Sequence, residues 1–451
     1  MYTKLNYYNN LKKMPQIKHT SDQNKLIDTF WKTSSTLICV APPGCGKTTV
    51  LQHIVAVIHD TCKTEAVVNV APTGIATHHM PMCHIPKCKV EVQPMTLARL
   101  LKCNFVNDVL HWNACLGHVT FVHVVIDEFP MVDAEQFDLL LKQLAVLKIR
   151  WRLVLIGDPC QLPAVGISIF NSRKFQALLL QSHTIVPLTT QVRFLNCPTG
   201  DMLTFCTLLR KRHVNRSCMY IQERFLTKSK PPPGGAGVIY LTYCNAAREQ
   251  FVADGLMYSH NVNKTIVYSI VTPAGRERFT CGPVMITKNN KENRSLVNGR
   301  ILQMDAITGT PSLQPDPLFP CARVLKSDKQ LCMHLIDDHG NELTLKATGV
   351  QINAKIVHTL HATQAFAITK HKAQGLTLSK TQYPYVIIDL DKCPSFEALF
   401  VACTRAQEFN QIHFLPIDLD RIANMIRQPM NQNAQTFVDH VCAHLSTTQL
   451  T

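Results

Sequence analysis

Four nearly unbroken apolar runs mark the first third of the chain: TLICV (36–40), AVVNV (66–70), FVHVVI (121–126) and WRLVLI (151–156). A strand with one wet face alternates apolar and polar residues, whereas a strand covered on both faces, as in a parallel sheet, is apolar throughout. Between these runs the spacing turns helical, as in TTVLQHIVAVIH (48–59) and the amphipathic stretch that opens at TSDQNKLIDTF. The pattern predicts a parallel α/β lobe over 36–156. A turn-rich boundary, KPPPGGAG (230–237), precedes another strand-like run, VIYLTY. Five short β-like runs follow (ILQMDAI, CARVLK, LCMHLID, ELTLKA and INAKIVH), with Gly309, Pro311, Asp337 and Gly340 among the turn residues. Their spacing predicts a small barrel. Beyond it, YVIIDL and QIHFLP bracket an apolar helical stretch, SFEALFVACTRAQ. The expected organisation is a basic tail at 1–20, a first lobe at 21–200, a second lobe in two pieces (201–281 and 358–445), and a β insert at 282–357.

The first strand runs into APPGCGKTT (41–49) and then a helix. A phosphate cradle requires inward N–H groups, a helix N-terminus, a cation for the terminal phosphates and a hydroxyl for magnesium. Pro43, Gly44, Cys45 and Gly46 supply the turn, Lys47 the cation, and Thr48 and Thr49 the hydroxyls at the helix start. Ala41 stands where the pattern begins with Gly, which adds only a Cβ. Asp127 and Glu128 close the strand FVHVVI. A carboxylate there can hold Mg2+, and its neighbour can deprotonate the attacking water. The alternative for the pair by itself is an ordinary acidic turn. GDPCQLP (157–163) closes the strand WRLVLI; a Gly-Asp-Pro turn accounts for Gly157 and Pro159 but not for the Gln-Leu-Pro that follows.

These segments, in this order, resemble the motifs of superfamily 1 helicases, in particular the PIF/RecD-like branch. The resemblance covers roughly Ser21 to Pro416 and is nearest to the PIF-like second helicase of large insect DNA viruses. It implies two RecA-like P-loop lobes, a small SH3-like barrel in the second and a pin at about 97–120 in the first, where Phe105 or Trp112 would be a wedge or a core residue. It further implies ATP with Mg2+ as cofactors, the latter on Thr48 and Asp127. Gln161 would reach the terminal phosphate, and Gln23 would read the adenine. Arg193, in PLTTQVRF, and Arg405, in SFEALFVACTRAQ, would be arginine fingers that reach the triphosphate across a cleft. For Arg405 a structural ion pair is the other reading. Departures are the Val-Arg-Phe order at Arg193 and the short stretch from Asp133 to Trp151.

Charge adds a partner. Forty-six Lys and Arg against thirty-one Asp and Glu give a formal charge of +15, which favours a polyanion. APTGIAT (71–77) resembles the helicase segment that grips a DNA backbone, through Pro72, Thr73 and Gly74. PMTLARLL (94–101) resembles the next, with Thr96, although Ala98 replaces a frequent His. AFAITKHKAQGLTLSK (365–380) offers hydroxyls, cations and a permissive glycine, as a phosphate track requires. Thr369, His371, Lys372 and Thr377 are its DNA-side candidates, and Gln374 and Gly375 its nucleotide-side candidates. VMITKNNKENRSLVNGR (284–300) also resembles a helicase segment leading into the barrel.

The implied activity is ATP-driven 5′→3′ translocation on single-stranded DNA with unwinding of forked duplex, in replication, recombination or repair, with proteins of those processes as partners. An RNA helicase or RNA–DNA remodelling ATPase shares every phosphate motif, and a non-enzymatic DNA-binding scaffold is the third class. Eighteen cysteines without Cys-x-x-Cys spacing fit reduced thiols in an intracellular protein. The group His78, His79, Cys83, His84 and Cys88 has the composition of a zinc site, but the reading adopted for it is a solvated insert after the DNA-gripping segment. Apolar runs of about ten residues fall short of the ~20 a membrane span needs, and the N-terminus lacks a secretory pattern. The expected location is the nucleus, a host nucleus for a viral protein, ahead of the mitochondrion.

Overall fold

The computed structural model describes residues 19–448 apart from 63, 86–92, 103–118, 182, 196–199, 226–236, 273–274, 291–292, 294 and 353–354. Most of the expected pin, with Phe105 and Trp112, lies outside the described residues, as do Cys88 and nearly all of the 1–20 tail. The chain divides into two compact units: Met1–Leu203 together with Gln428–Thr451, and Thr204–Arg427.

In the first unit a helix, α1 (Ser21–Lys32), precedes a six-stranded sheet in the order β3-β2-β4-β5-β1-β6. The strands are β1 (Thr36–Val40), β2 (Glu65–Ala71), β3 (Met95–Thr96), β4 (Phe121–Asp127), β5 (Arg150–Gly157) and β6 (His183–Pro187), and every neighbouring pair is parallel. The continuous apolar runs are explained by burial on both faces. Ile38, Val124, Ile126, Leu153 and Leu155 point to one core with Phe129 and Phe137. Their sequence neighbours Leu37, Cys39, Val125, Val154 and Ile156 point to the other, with Leu26, Phe30 and Ile54. Register then aligns the strand ends that matter. Val40 pairs with Gly157, Asp127 with Ile156, and Ala71 with Thr96. The phosphate-loop candidate, the acidic pair and the GDPCQLP turn thus leave one edge of one sheet, the carboxyl edge where α/β proteins bind ligands.

The second unit holds a four-stranded parallel sheet in the order β18-β7-β19-β20: β7 (Val238–Thr242), β18 (Ala367–Thr369), β19 (Tyr385–Asp389) and β20 (Ile412–Leu415). A separate β body stands within this unit. Five antiparallel strands, β10 (Gly282–Ile286), β11 (Ile301–Thr308), β13 (Cys332–Ile336), β14 (Glu342–Lys346) and β17 (Ala362–Gln364), form one sheet, β8 (Val267–Thr272), β9 (Gly275–Thr280) and β12 (Arg323–Lys326) a second, and β15 (Thr348–Ile352) with β16 (Lys355–Thr359) a hairpin. Tyr268, Ile270, Phe279, Val284, Met304, Leu335 and Leu360 share one core.

Two expected boundaries need correction. The β insert is broader than 282–357, because Val267–Thr280 and Ala362–Gln364 bury their apolar faces in it or extend its sheets. The second lobe does not run to 445, because the helix Gln432–Thr448 groups with the first unit. There Phe437 sits 5.9, 5.3 and 5.9 Å, ring to ring, from Phe129, Phe170 and Phe175. The histidine–cysteine segment also differs from a metal site. His84 exchanges two backbone bonds with Val67, and Cys83 is buried with its Sγ accepting from the Asn69 N–H at 3.3 Å. Among the described residues no cluster of three or more His, Cys, Asp or Glu forms a metal-binding group. No helix among them is long and apolar enough to cross a membrane.

Candidate nucleotide site and nucleic-acid track

The loop after β1 is shaped by two left-handed glycines, Gly44 (φ 84) and Gly46 (φ 74). Gly46 opens the helix α2 (Lys47–Thr61) with no side-chain cap, so the first N–H groups of that helix remain open to an anion. Neither position has room for a side chain. A Cβ on Gly44 would lie 2.8 Å from Arg193 Cβ, and one on Gly46 2.5 Å from Gln23 Nε2. Pro43 and Cys45 are buried, while Thr48 and Thr49 are half-buried in the first turn of α2. The Lys47 ammonium donates to the Ala41 carbonyl at 3.3 Å and lies 3.9 Å from Glu128. Burial works against its charge, but Glu128, Asp127 and Asp158 outweigh that and raise it above the ordinary lysine range.

Asp127 ends β4 with its carboxylate accepting from the Glu128 N–H at 2.9 Å. Its own burial, and then the Glu128 charge, push it up to about 7 against the pull of Lys47. A bound divalent cation would reverse that balance in favour of the carboxylate. Glu128 adopts a left-handed backbone (φ 52), a strained choice for a residue with a side chain. Glu128 Oε2 is buried without a partner. So are both amide atoms of Gln161, which is 2% exposed. The turn that carries Gln161 is fixed by Asp158, whose carboxylate accepts from Cys160 N at 3.1 Å and whose carbonyl accepts from Gln161 N at 3.0 Å. A rigid turn thus delivers an amide with nothing of the protein to bind. A buried unsatisfied amide costs about 1–3 kcal/mol, so its partner is expected from outside the chain.

Gln23 reaches the loop in a way the motif alone did not convey. Its Oε1 accepts from Thr20 N at 3.0 Å, closing a capping box, and its Nε2 donates to the Cys45 carbonyl at 2.9 Å. Gln23 is thus also a brace for the phosphate loop. Arg193 is brought to the same loop through its backbone, with its N–H donating to the Gly44 carbonyl at 3.0 Å. Asp22, which sequence reading passed over, ties α1 to Thr189 and Thr190.

Pairing of β2 with β3 sets the two DNA-gripping candidates of the first unit side by side. Thr73, between Pro72 and Gly74, caps the short helix Gly74–His79 by accepting from Ala76 N at 3.4 Å. Thr96 accepts from Arg99 N at 3.2 Å. In the second unit Thr369 ends β18 and opens the single helical turn Lys370–Ala373 without a side-chain cap bond. Lys372 donates to Asn298 Oδ1 at 2.8 Å. Burial pulls the Lys372 and His371 pKa values down, and Lys370 adds to the effect on His371. Gln374 is 2% exposed with both amide atoms unpartnered, Gly375 is left-handed (φ 84), and Thr377 is exposed. Arg405 lies just beyond the helix Phe396–Cys403 rather than on it. Its guanidinium donates to Val401 O (3.0 Å), Leu376 O (3.2 Å) and Thr404 Oγ1 (2.9 Å). The unit therefore gathers Gln374, Gly375 and Arg405 around one turn. Asn298 lies in the segment 284–300, and its place directly before the left-handed Gly299 (φ 92) is the sequence signal that marks it.

Residues 23–167 match a family model described as an AAA domain. Over nearly its full length the chain shares the fold of Pif1 helicases. It is similar to the Pif1 helicase from Candida albicans, with a TM-score of 0.65 and 16% identity over 95% of this chain and 100% of that one. It is also similar to the Pif1 helicase from Bacteroides in complex with ADP-AlF3 and ssDNA, with a TM-score of 0.61 and 19% identity over 96% and 98%. A third likeness is to a structure of two coordinating Pif1 helicases unwinding forked dsDNA, with a TM-score of 0.63 and 18% identity over 96% and 98%. No curated protein sequence matches the chain.

Proposed function

We propose that this chain is an ATP-dependent DNA helicase of the PIF-like branch of superfamily 1, moving 5′→3′ on single-stranded DNA. The observation that carries the reading is the orphaned Gln161 amide. It stands at the sheet edge that also holds Lys47, Asp127 and Glu128, in a chain with the fold of Pif1 helicases.

The residues present fit a nucleoside triphosphate with Mg2+. The uncapped start of α2, the unpartnered Glu128 carboxylate oxygen and the unpartnered Gln161 amide are the polar groups that a triphosphate with its cation would satisfy. When bound, the triphosphate supplies a hydrolysable phosphoanhydride bond. Pro43 to Gly46 cradle phosphate oxygens with backbone N–H groups, except at Pro43, and Thr49 lines the same turn. Lys47 neutralises the terminal phosphates, and Thr48 with Asp127 holds the cation. Glu128 takes the proton of the attacking water at Oε2, and Gln161 donates its amide hydrogen to the terminal phosphate. Arg193 contributes a positive charge beside the loop. We extend a second such role to Arg405, and nucleotide contacts to Gln23, Gln374 and Gly375, on motif order.

The DNA track is assigned to Pro72, Thr73, Gly74 and Thr96 on one unit and Thr369, His371, Lys372 and Thr377 on the other. The Bacteroides relative is bound to ssDNA and another pair acts at forked dsDNA, and the +15 charge of this chain suits such partners. A role in replication, recombination or repair, with proteins of those processes, belongs to the same proposal. The test is strand separation on forked, 5′-tailed and 3′-tailed duplexes, paired with ATP hydrolysis in the presence of single-stranded DNA or RNA. Forked and 5′-tailed substrates are expected to open only with ATP, and single-stranded DNA to raise hydrolysis about tenfold or more. Equal hydrolysis with and without a strand would sink the motor reading.

A further inference from the structure

Asp22 occupies the second position of α1, one residue before Gln23. Its Oδ2 accepts from the N–H of Thr189 at 2.6 Å and of Thr190 at 2.8 Å, and from the Thr189 hydroxyl at 3.4 Å. Its Oδ1 accepts from Gln23 N at 3.0 Å and from the Thr20 hydroxyl. Bonds from N–H groups to a carboxylate are charge-assisted and short. Burial opposes the charge, but donation from Thr190, Thr20, Thr189 and Gln23 prevails and holds the carboxyl below its ordinary range.

Thr189 and Thr190 begin an arm. Upstream, Leu188 N donates to the Val40 carbonyl at 2.9 Å, so the arm leaves the sheet beside the strand that feeds the phosphate loop. Downstream comes Arg193, with its N–H on the Gly44 carbonyl. The contacts close into a ring. It runs from Gly44 to Arg193, back along the arm to Thr190 and Thr189, across to Asp22, through Gln23, and onto the loop again at Cys45. All of its members belong to the first unit. There is little slack in it, because a Cβ on either loop glycine would collide with Arg193 or Gln23. Helix α1, the arm and the loop are therefore positioned by each other, and Asp22 is the residue that joins arm to helix.

We infer that Asp22 is the positioning residue that sets Arg193 against the phosphate loop, making the arm part of the triphosphate site. The inference rests on the ATP site and the Arg193 role proposed above. Asp22 touches no reacting atom. Without it the arm keeps its origin in β6 and its bond at Gly44, but loses two backbone anchors just before the arginine. Lys47 and the loop N–H groups are left in place, so the loss falls on turnover rather than on ground-state binding.

The experiment measures kcat and KM for ATP, in saturating single-stranded DNA, for the full chain and for Asp22→Asn, Arg193→Ala and the double variant. Asp22→Asn keeps the shape of the side chain and removes its charge and one acceptor; Asp22→Ser, also suited to a helix start, gives an independent measurement. The expected result is a fall in kcat of about tenfold for Asp22→Asn with KM within about twofold, and no further loss when it is added to Arg193→Ala. A lower melting temperature with kcat within twofold of the parent would make Asp22 merely structural and overturn the inference. So would losses that multiply in the double variant. Arg193→Ala with undiminished kcat would overturn the arginine reading together with this inference. Undiminished turnover in Lys47→Ala would instead show that the ATP site itself was misassigned.

Discussion

Gln161 and Gln374 each place both amide atoms in the interior with no protein partner, and Glu128 does the same with one carboxylate oxygen. Other buried polar atoms, such as Ser217 Oγ, are also unpartnered, but Glu128 and Gln161 are the ones that stand at the carboxyl edge of the first sheet, where the triphosphate proposed above would satisfy them. Gln161→Leu preserves volume and removes the orphaned amide. The unliganded protein is expected to gain up to about 1–3 kcal/mol, while ATP turnover falls on the order of 10²-fold, as for loss of one preorganised donor. Thermal unfolding and steady-state hydrolysis on the same preparation check both directions; a variant that is less stable and fully active would remove Gln161 from the site. Lys47, Asp127, Glu128 and Gln161 were all legible from residue type and order. Asp22 was not, because a carboxylate two residues into a helix reads as an ordinary favourable charge at its N-terminus. Only the return of the chain at Thr189 gives it a second purpose.

At the scale of elements, apolar periodicity was a reliable guide where an element fills its own core and a poor one where it fills another's. The four buried strands of the first unit show the distinction, since their runs match β1, β2, β4 and β5 almost residue for residue. The strands Val267–Thr272 and Gly275–Thr280 looked like part of the second lobe by position, yet they pack into the β body. The helix Gln432–Thr448 is the clearest case. Its sequence places it after the second lobe, while Phe437, 2% exposed, belongs to the aromatic cluster of Phe129, Phe170 and Phe175 in the first. Phe437→Ala is expected to destabilise the first unit by about 3–5 kcal/mol. Hydrogen exchange should show the loss in β4, β5 and the Phe170 region; an effect confined to β19 and β20 would contradict the packing.

For the whole molecule, fuel use and strand binding are assigned to different groups and should separate on mutation. Lys47→Ala is expected to abolish ATP hydrolysis while changing affinity for a single-stranded oligonucleotide by less than about threefold, since the proposed track consists of hydroxyls, peptide N–H groups and other cations. Filter binding at a fixed ionic strength, together with a salt series, measures this. Loss of strand binding in that variant would show that Lys47 serves the track as well. The fold likeness to Pif1 helicases extends over nearly the full length of the chain at 16–19% identity. Such a match at so little identity is what a shared pattern of buried strands and glycine turns produces when surfaces diverge.

The amino-acid order by itself determined that parallel strands end in a phosphate loop, an acidic pair and a Gln-bearing turn, because burial on both faces and phosphate chemistry each demand particular residue types close together in the chain. Tertiary structure alone decided which strand ends share an edge, where the β body begins and ends, which core the last helix completes, and that Gln23 and Arg193 meet the loop while Asp22 ties their two segments together. Those outcomes depend on contacts between residues distant in the chain, some of them more than a hundred positions apart, such as Asp22 with Thr189 or Phe437 with Phe129. Local pattern carries no register between segments so distant; packing supplies it.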